Sequence, residues 1–301
     1  MCIRDRTWGE SPADYAMDPD IVNDPRYKDV IKDALLTHRT ISLTFDPVDM
    51  FGSTRGIYVN SQEEGDEWER PVSVEIIDPG DGPEIHVNAG MKIQGSASSS
   101  PSRPKHNLRL LFKSAYGAPK LEFPLFEGWP VERFDSIHLR GGNGDSWYHP
   151  NTNQQIEAQY IRDQWSRDTQ YAMGRLAPGQ TYAHVYLNGL YWGLYHIIER
   201  PNASFFAEHL GGEKEEYDVV KHKNLTVAGD RQAWNAMMAI ANAGVASADA
   251  YARIQEYMDI PNLIDFMLVN FFAGNVDWDH NNWYGGRRRA PASTVPVIMV
   301  P

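Results

Sequence analysis

The chain has 301 residues, 42% of them hydrophobic and 23% charged, which is enough for a substantial core and for two lobes. Its formal net charge of -12 argues against a nucleic-acid partner, since such partners demand a basic stripe, and leaves a protein or small-molecule ligand. No apolar run approaches the ~20 residues that cross a bilayer, so this segment is not membrane-spanning, and the one cysteine, Cys2, allows neither an internal disulfide nor a thiolate metal site.

Residues 1–40 read as an N-terminal extension. It opens on "MCIRDR", whose composition looks artefactual, and contains "NDPRYKDVIKDALL", where Asp24 can cap a short amphipathic helix and Pro25 can take its first position. "TISLTFD" follows as a strand. "RPVSVEIIDPGDGPEIHVNAGMKIQG" alternates apolar and polar residues on both sides of a Pro/Gly/Asp turn, the pattern of a hairpin. A loop of small residues, "GSASSSPSRPK", precedes the strands "HNLRLLFK" and "FDSIHLRGG".

From Asn151 to Gly174, residues Ile156, Tyr160, Ile161, Trp165, Ala172 and Met173 recur at helical spacing and predict one helix of several turns. "TYAHVYLNGLYWGLYHIIER" is a hairpin with Asn188-Gly189 as its two-residue turn, both residues tolerating the positive φ of type I′. Past Pro201, three segments carry apolar residues at three- and four-residue spacing and predict helices: "DRQAWNAMMAIANAG", "ADAYARIQEYM" and "IPNLIDFMLVNFFAG". These readings give an α+β protein with a β-rich lobe and one long helix over 41–200. An α-rich lobe over 201–286 ends in a polar loop, and an artefactual or truncated tail of different composition occupies 287–301. The basic run Arg287 to Arg289 in that tail reads as a solvated face.

The polar loop is "GNVDWDHNNWYGG", 274–286. Its Asp and Asn residues compete with the backbone for hydrogen bonds and do not belong in a helix interior. They are either turn chemistry that stops the preceding helix or a site for cations. In kinase phosphoryl-transfer sites a catalytic-loop Asp takes the acceptor hydroxyl's proton and an Asn five residues on helps to hold magnesium. Asp277 and Asn282 have that spacing. Asp277 and Asp279 would face opposite ways in an extended segment, which argues against an independent metal site with His280.

Taken together, "GMKIQGSASSSPSRPKHNLRLLFKSAYG", "FDSIHLRGG", "YLNGLYWGLYHIIERP" and "GNVDWDHNNWY" resemble the CotH kinase family, atypical protein kinases related to a bacterial spore-coat protein. The resemblance spans about Ile41 to Tyr284. It implies an atypical protein-kinase-like two-lobed fold and transfer of the ATP γ-phosphoryl group, with Mg or Mn, to Ser or Thr of a protein substrate at a spore coat or cell surface. Asp277 then corresponds to the catalytic residue and Asn282 to a metal ligand, with Lys105 and Arg140 near the nucleotide phosphates.

Glu157 and Asp163 are candidates to orient Lys105, and Glu199 to shape the cleft where the lobes join. The chain departs from ordinary kinases in lacking a His-Arg pair before the Asp, a GxGxxG loop and a V-A-I-K strand. The family also continues into a "WD" motif whose Asp would be a second metal ligand, and that Asp is missing from this chain. The alternative reading is a catalytically inactive structural or adhesive extracellular module, binding glycan or protein through aromatic residues such as Tyr191, Trp192 and Tyr195.

Overall fold

In the computed structural model the described residues are 7–8, 11–12, 14–95, 98–103, 105–142, 144–147, 149, 151–289 and 297–301. The segment "MCIRDR" and residues 290–296 of the tail lie outside them. The chain divides into two units, one of residues 1–127, 132–160 and 180–198, the other of 128–131, 161–179 and 199–301.

The first unit begins with the short ladder β1 (Thr7–Trp8) and β2 (Ser11–Pro12) and the helices α1 (Pro19–Val22) and α2 (Ile31–Thr37). The Asp24 side chain accepts from the Arg26 amide at 2.8 Å, the capping bond expected of it, but the residues that follow form turns and the helix proper is α2. Next come β3 (Arg39–Thr44), α3 (Pro47–Phe51), β4 (Arg70–Ile77), β5 (Glu84–Ile93) and β6 (Leu108–Leu111). After a two-stranded ribbon of β7 (Leu121–Glu122) and β8 (Arg133–Phe134) stand β9 (Ser136–Arg140) and α4 (Thr152–Glu157), then β10 (Gln180–Leu187) and β11 (Leu190–Glu199).

Seven of these strands close into a barrel in the order β10-β11-β9-β6-β5-β4-β3. Neighbours such as β3 and β4 run antiparallel, whereas β3 and β10 close the ring in parallel, with Ile41 opposite Val185. The interior follows from the period of two along a strand. On β4, Val72, Val74 and Ile76 are buried while the residues between them are not. Leu108 and Leu110 of β6 face Leu139 and Ile137 of β9 in register, and all four are buried. The β10–β11 hairpin has the expected turn, with Asn188 at φ 47 and Gly189 at φ 83.

The long helix expected over 151–174 is two helices. Asn151 caps α4, which ends where Ala158 turns extended, and Tyr160 stands at φ 64. Here the Gln159 amide is bonded to the Asp145 carboxylate at 2.7 Å, and the Tyr160 carbonyl accepts from the Tyr182 hydroxyl. Tertiary hydrogen bonds thus replace the i→i-4 bonds that helical spacing alone would suggest.

In the second unit, α5 (Arg162–Ala172) is followed by α6 (Ala203–Leu210), β12 (Tyr217–Lys221) and β13 (Leu225–Ala228). The predicted helices appear as α7 (Gln232–Ala243), α8 (Ala248–Gln255) and α9 (Ile260–Phe272), and β14 (Tyr284–Arg288) and β15 (Ile298–Val300) complete the unit. A four-stranded sheet in the order β13-β12-β14-β15, unforeseen in the sequence, runs through this helix-rich part. One core gathers Trp234, Met237, Met258, Phe266, Trp283 and Met299, and another Phe205, Phe206, Tyr217, Val219 and Val300.

Composition sets residues 287–301 apart, yet β14 and β15 are strands of this sheet. Asn262 of α9 accepts from the Met299 amide at 2.7 Å and donates to the Met299 carbonyl at 3.3 Å. The basic run is not a solvated face: Arg288 pairs with Glu216 at 2.7 Å and Arg289 with Asp218 at 3.4 Å, because β14 lies against β12 and places them beside those carboxylates.

Candidate functional site

The loop after α9 is built by its asparagines and tryptophans. Helix α9 ends with Gly274 at φ 60, and the Asn275 amide reaches back to the Asn270 carbonyl at 3.0 Å, a left-handed helix stop. The Asn275 side chain then accepts from the Asp277 amide at 3.1 Å, which turns the chain out of the helix axis. Two tryptophans fasten the loop at its flanks. Trp278 packs edge-on against Phe266 and Phe271, at 5.9 and 5.4 Å between ring centres. Trp283, 8% exposed, stacks on Trp234 at 5.4 Å and donates its indole N–H to the Asp279 carbonyl at 2.7 Å.

Between these anchors the Asp277 carboxylate is 53% exposed, and each of its oxygens accepts one carboxamide. Asn281 Nδ2 lies 2.8 Å from Oδ1 and Asn282 Nδ2 lies 2.5 Å from Oδ2, with Asn282 held at φ 58. The two residues singled out by their spacing are therefore in direct contact. The segment is not extended, which corrects the expectation for Asp277 and Asp279: the turn brings the His280 ring to 3.6 Å from the first and 3.8 Å from the second. Among the described residues no group of three or more His, Cys, Asp or Glu side chains could hold a metal ion. What the loop offers is one oriented, accessible carboxylate with carboxamide oxygens beside it. Asn275 and Asn281, which the spacing argument passed over, are as much a part of it as Asn282.

In the first unit, Lys105 follows the small-residue loop. That loop is tied down: Ser98, 3% exposed, donates to the Gln94 carbonyl, His106 Nδ1 donates to the Ser98 carbonyl, and Ser61 donates to the Ser99 carbonyl at 2.6 Å. Lys105 turns inward. Its ammonium donates to the Leu194 carbonyl at 2.5 Å and lies 4.3 Å from the centre of the Tyr195 ring. Burial pushes its pKa down to about 8, and among the described residues no carboxylate pairs with it.

Gly193 makes room for this ammonium, standing at φ 119 where a Cβ would lie 3.2 Å from Lys105 Nζ. Arg140 ends β9 and is half-buried. The next residue, Gly141, donates to Asn107 Oδ1 at 2.8 Å, and a Cβ on it would lie 3.1 Å from Lys105 Cγ. The "LRGG" segment and Lys105 thus occupy adjoining positions. Tyr195 and Gly193 escaped sequence reasoning as partners of Lys105, although their hairpin was recognised.

The remaining candidates have other surroundings. Glu157 is exposed at the end of α4, and Asp163 lies in the first turn of α5, 3.9 Å from Arg167. Glu199 is 3% exposed and accepts from the Gly179 amide at 3.2 Å and from His209 at 3.0 Å. The aromatic hairpin is accounted for by packing: Tyr195 is fully buried, and Trp192 donates to the Tyr58 hydroxyl at 3.3 Å while meeting that ring edge-on at 5.6 Å.

These features define an α+β protein with a tied-down small-residue loop leading to an inward lysine, and a carboxylate–carboxamide loop at the end of a packed helix. The family description "CotH kinase protein" matches residues 92–297, more than half of the chain and inclusive of both loops, and the chain belongs to the CotH kinase family. No curated protein matches it. No helix among the described residues is long and apolar enough to cross a membrane.

Proposed function

We propose that the chain is an atypical protein kinase that transfers the γ-phosphoryl group of ATP to a Ser or Thr hydroxyl of a protein, at a spore coat or cell surface. The barrel unit serves as the nucleotide lobe and the second unit as the acceptor lobe of a kinase-like fold. The observation that carries the reading is the contact of Asp277 with Asn282, five residues apart in a member of the CotH kinase family.

An alcohol is a poor nucleophile at neutral pH. Asp277, oriented by two carboxamides and open to solvent, hydrogen-bonds the acceptor hydroxyl and takes its proton as the bond from that oxygen to the γ-phosphorus forms. The bond from the γ-phosphorus to the β,γ-bridging oxygen breaks, and ADP leaves with that electron pair. Lys105 and Arg140 supply positive charge to the phosphates. The carboxamide oxygen of Asn282 suits a hard cation such as Mg or Mn, for which oxygen donors are the natural ligands. Asn282 would hold such an ion, which would supply positive charge to the phosphates.

The test separates the two residues. Asp277→Ala should retain ATP binding, read as a rise in thermal midpoint with ATP and Mg or Mn, while transfer of radiolabelled phosphate falls by about 100-fold or more. Asn282→Ala should weaken the metal-dependent part of that binding. If both variants keep activity in proportion to folded protein, the loop is only a helix stop. If millimolar ATP with either metal leaves the midpoint of the folded wild type unchanged, the adhesive module becomes the better account.

A further inference from the structure

The turn between β12 and β13 carries Lys221, His222 and Lys223 in succession, in a chain of net charge -12. β12 pairs with β14 so that Lys221 stands opposite Tyr284, and the His222 amide donates to the Trp283 carbonyl at 3.2 Å. The turn therefore leaves the sheet at the end where the Asp277 loop enters it. Their charges are felt in common. Burial lowers the proton affinity of His222 most, Lys221 and Lys223 lower it further, and Asp277 acts in the opposite direction.

The backbone of this turn is held against its preference. Lys223 stands at φ 59, ψ 23 and Asn224 at φ 54, the two left-handed residues of a type I′ turn, where glycine or asparagine is the usual occupant. The turn is kept in that form from outside: Trp234 donates to Asn224 Oδ1 at 3.1 Å and Arg231 to the Asn224 carbonyl at 2.5 Å. Lys223 itself is exposed. A strained position carrying an exposed cation next to a candidate site is an observation that points toward function.

We propose that Lys221 and Lys223 form an oxyanion subsite beside Asp277, which takes a phosphate or carboxylate group of the reacting complex. The inference rests on the kinase reading of Asp277. A carboxylate that serves as base repels the phosphate it must approach, and charge spreads over the equatorial oxygens during transfer. Cations within the same unit as Asp277 offset both. The oxyanion has two possible sources, the terminal phosphate of the nucleotide or an acidic or phosphorylated residue next to the acceptor hydroxyl.

Lys223→Gly is the informative variant, because glycine adopts a φ near +60° without the Cβ penalty and the turn keeps its shape. Combined with Lys221→Gln, it should leave the thermal midpoint without ligand unchanged or higher. Inorganic tripolyphosphate, titrated without nucleotide or metal at low ionic strength and followed by tryptophan fluorescence, should bind about tenfold more weakly to the double variant than to wild type. Equal affinity overturns the proposal.

Two further arms assign the source. A weaker Kd for Mg-ATP points to the nucleotide. A raised KM confined to serine peptides with a neighbouring Glu or phosphoserine, compared with Gln, points to the acceptor. A wild-type protein that binds tripolyphosphate through these residues but transfers no phosphate would refute the kinase reading and leave the subsite standing.

Discussion

Lys105 and Asp277 are the two charges on which the proposed chemistry leans hardest, and the protein holds them by opposite means. Lys105 is drawn into the barrel, its ammonium shared between the Leu194 carbonyl and the Tyr195 ring, both contributed by a hairpin some ninety positions away (89 for the hydrogen bond). Asp277 is more than half exposed, and both of its carboxamide partners come from within five residues. The lysine's proton affinity is set by packing from distant sequence, the carboxylate's orientation by its own loop. Mutations that disturb the barrel should therefore alter the lysine's chemistry, while those in the loop should alter activity with little effect on stability.

The largest structural effect is expected from Tyr195→Ala. The side chain is fully buried, its hydroxyl donates to the His106 carbonyl at 3.1 Å, and its loss should cost about 3–5 kcal/mol. Urea unfolding followed by circular dichroism would show this as an earlier transition, and an unchanged midpoint would mean that the barrel does not depend on this ring.

A smaller effect, with a defined sign, comes from Lys105. Its pKa is about 8 when folded against 10.5 when unfolded, so between those values the unfolded chain binds more protons and stability rises with pH. Below pH 8 the buried charge carries its full penalty. Comparing Lys105→Met with wild type at pH 7.5 and pH 10, the wild type should gain urea resistance relative to the variant at the higher pH. A relative loss would show that the ammonium is stabilised in the barrel rather than penalised.

The smallest effect belongs to the loop. Asp277→Ala removes two hydrogen bonds from an exposed carboxylate and should change unfolding free energy by no more than about 1 kcal/mol, despite the large fall expected in transfer. A loss of several kcal/mol would place Asp277 among structural residues and erase the contrast with Lys105.

What could be read from the sequence follows the same division. The Asn188-Gly189 hairpin, the β4–β5 hairpin and helices α7 to α9 rest on turn chemistry and periodicity within a few residues, and each was legible. The spacing of Asp277 and Asn282 could also be read, but not the hydrogen bond between them, which depends on the turn of the loop. The ring closure of β3 on β10 and the assembly of β12 to β15 were not, because strand pairing across long separations leaves no local periodic mark.

The break at Tyr160 was hidden by helical spacing on both sides of it, the bonds that cause it coming from Asp145 and Tyr182. The Lys223-Asn224 turn was missed because it contains no glycine. The inward turn of Lys105 was invisible for the reason that its partners lie on β11.

The parallel ladder between β3 and β10 has a further consequence, for the birth of the barrel rather than its chemistry. β3 lies near the start of the chain and reaches its last partner only at residues 183–187, so during synthesis it emerges well before the strand that completes its pairing. Until then β3 can pair on one side only, with β4, and its other edge is open to stray strands. Once β10 docks, the ring has no free edge left. A chaperone that shields exposed strand edges would matter to this protein before that moment and not after it.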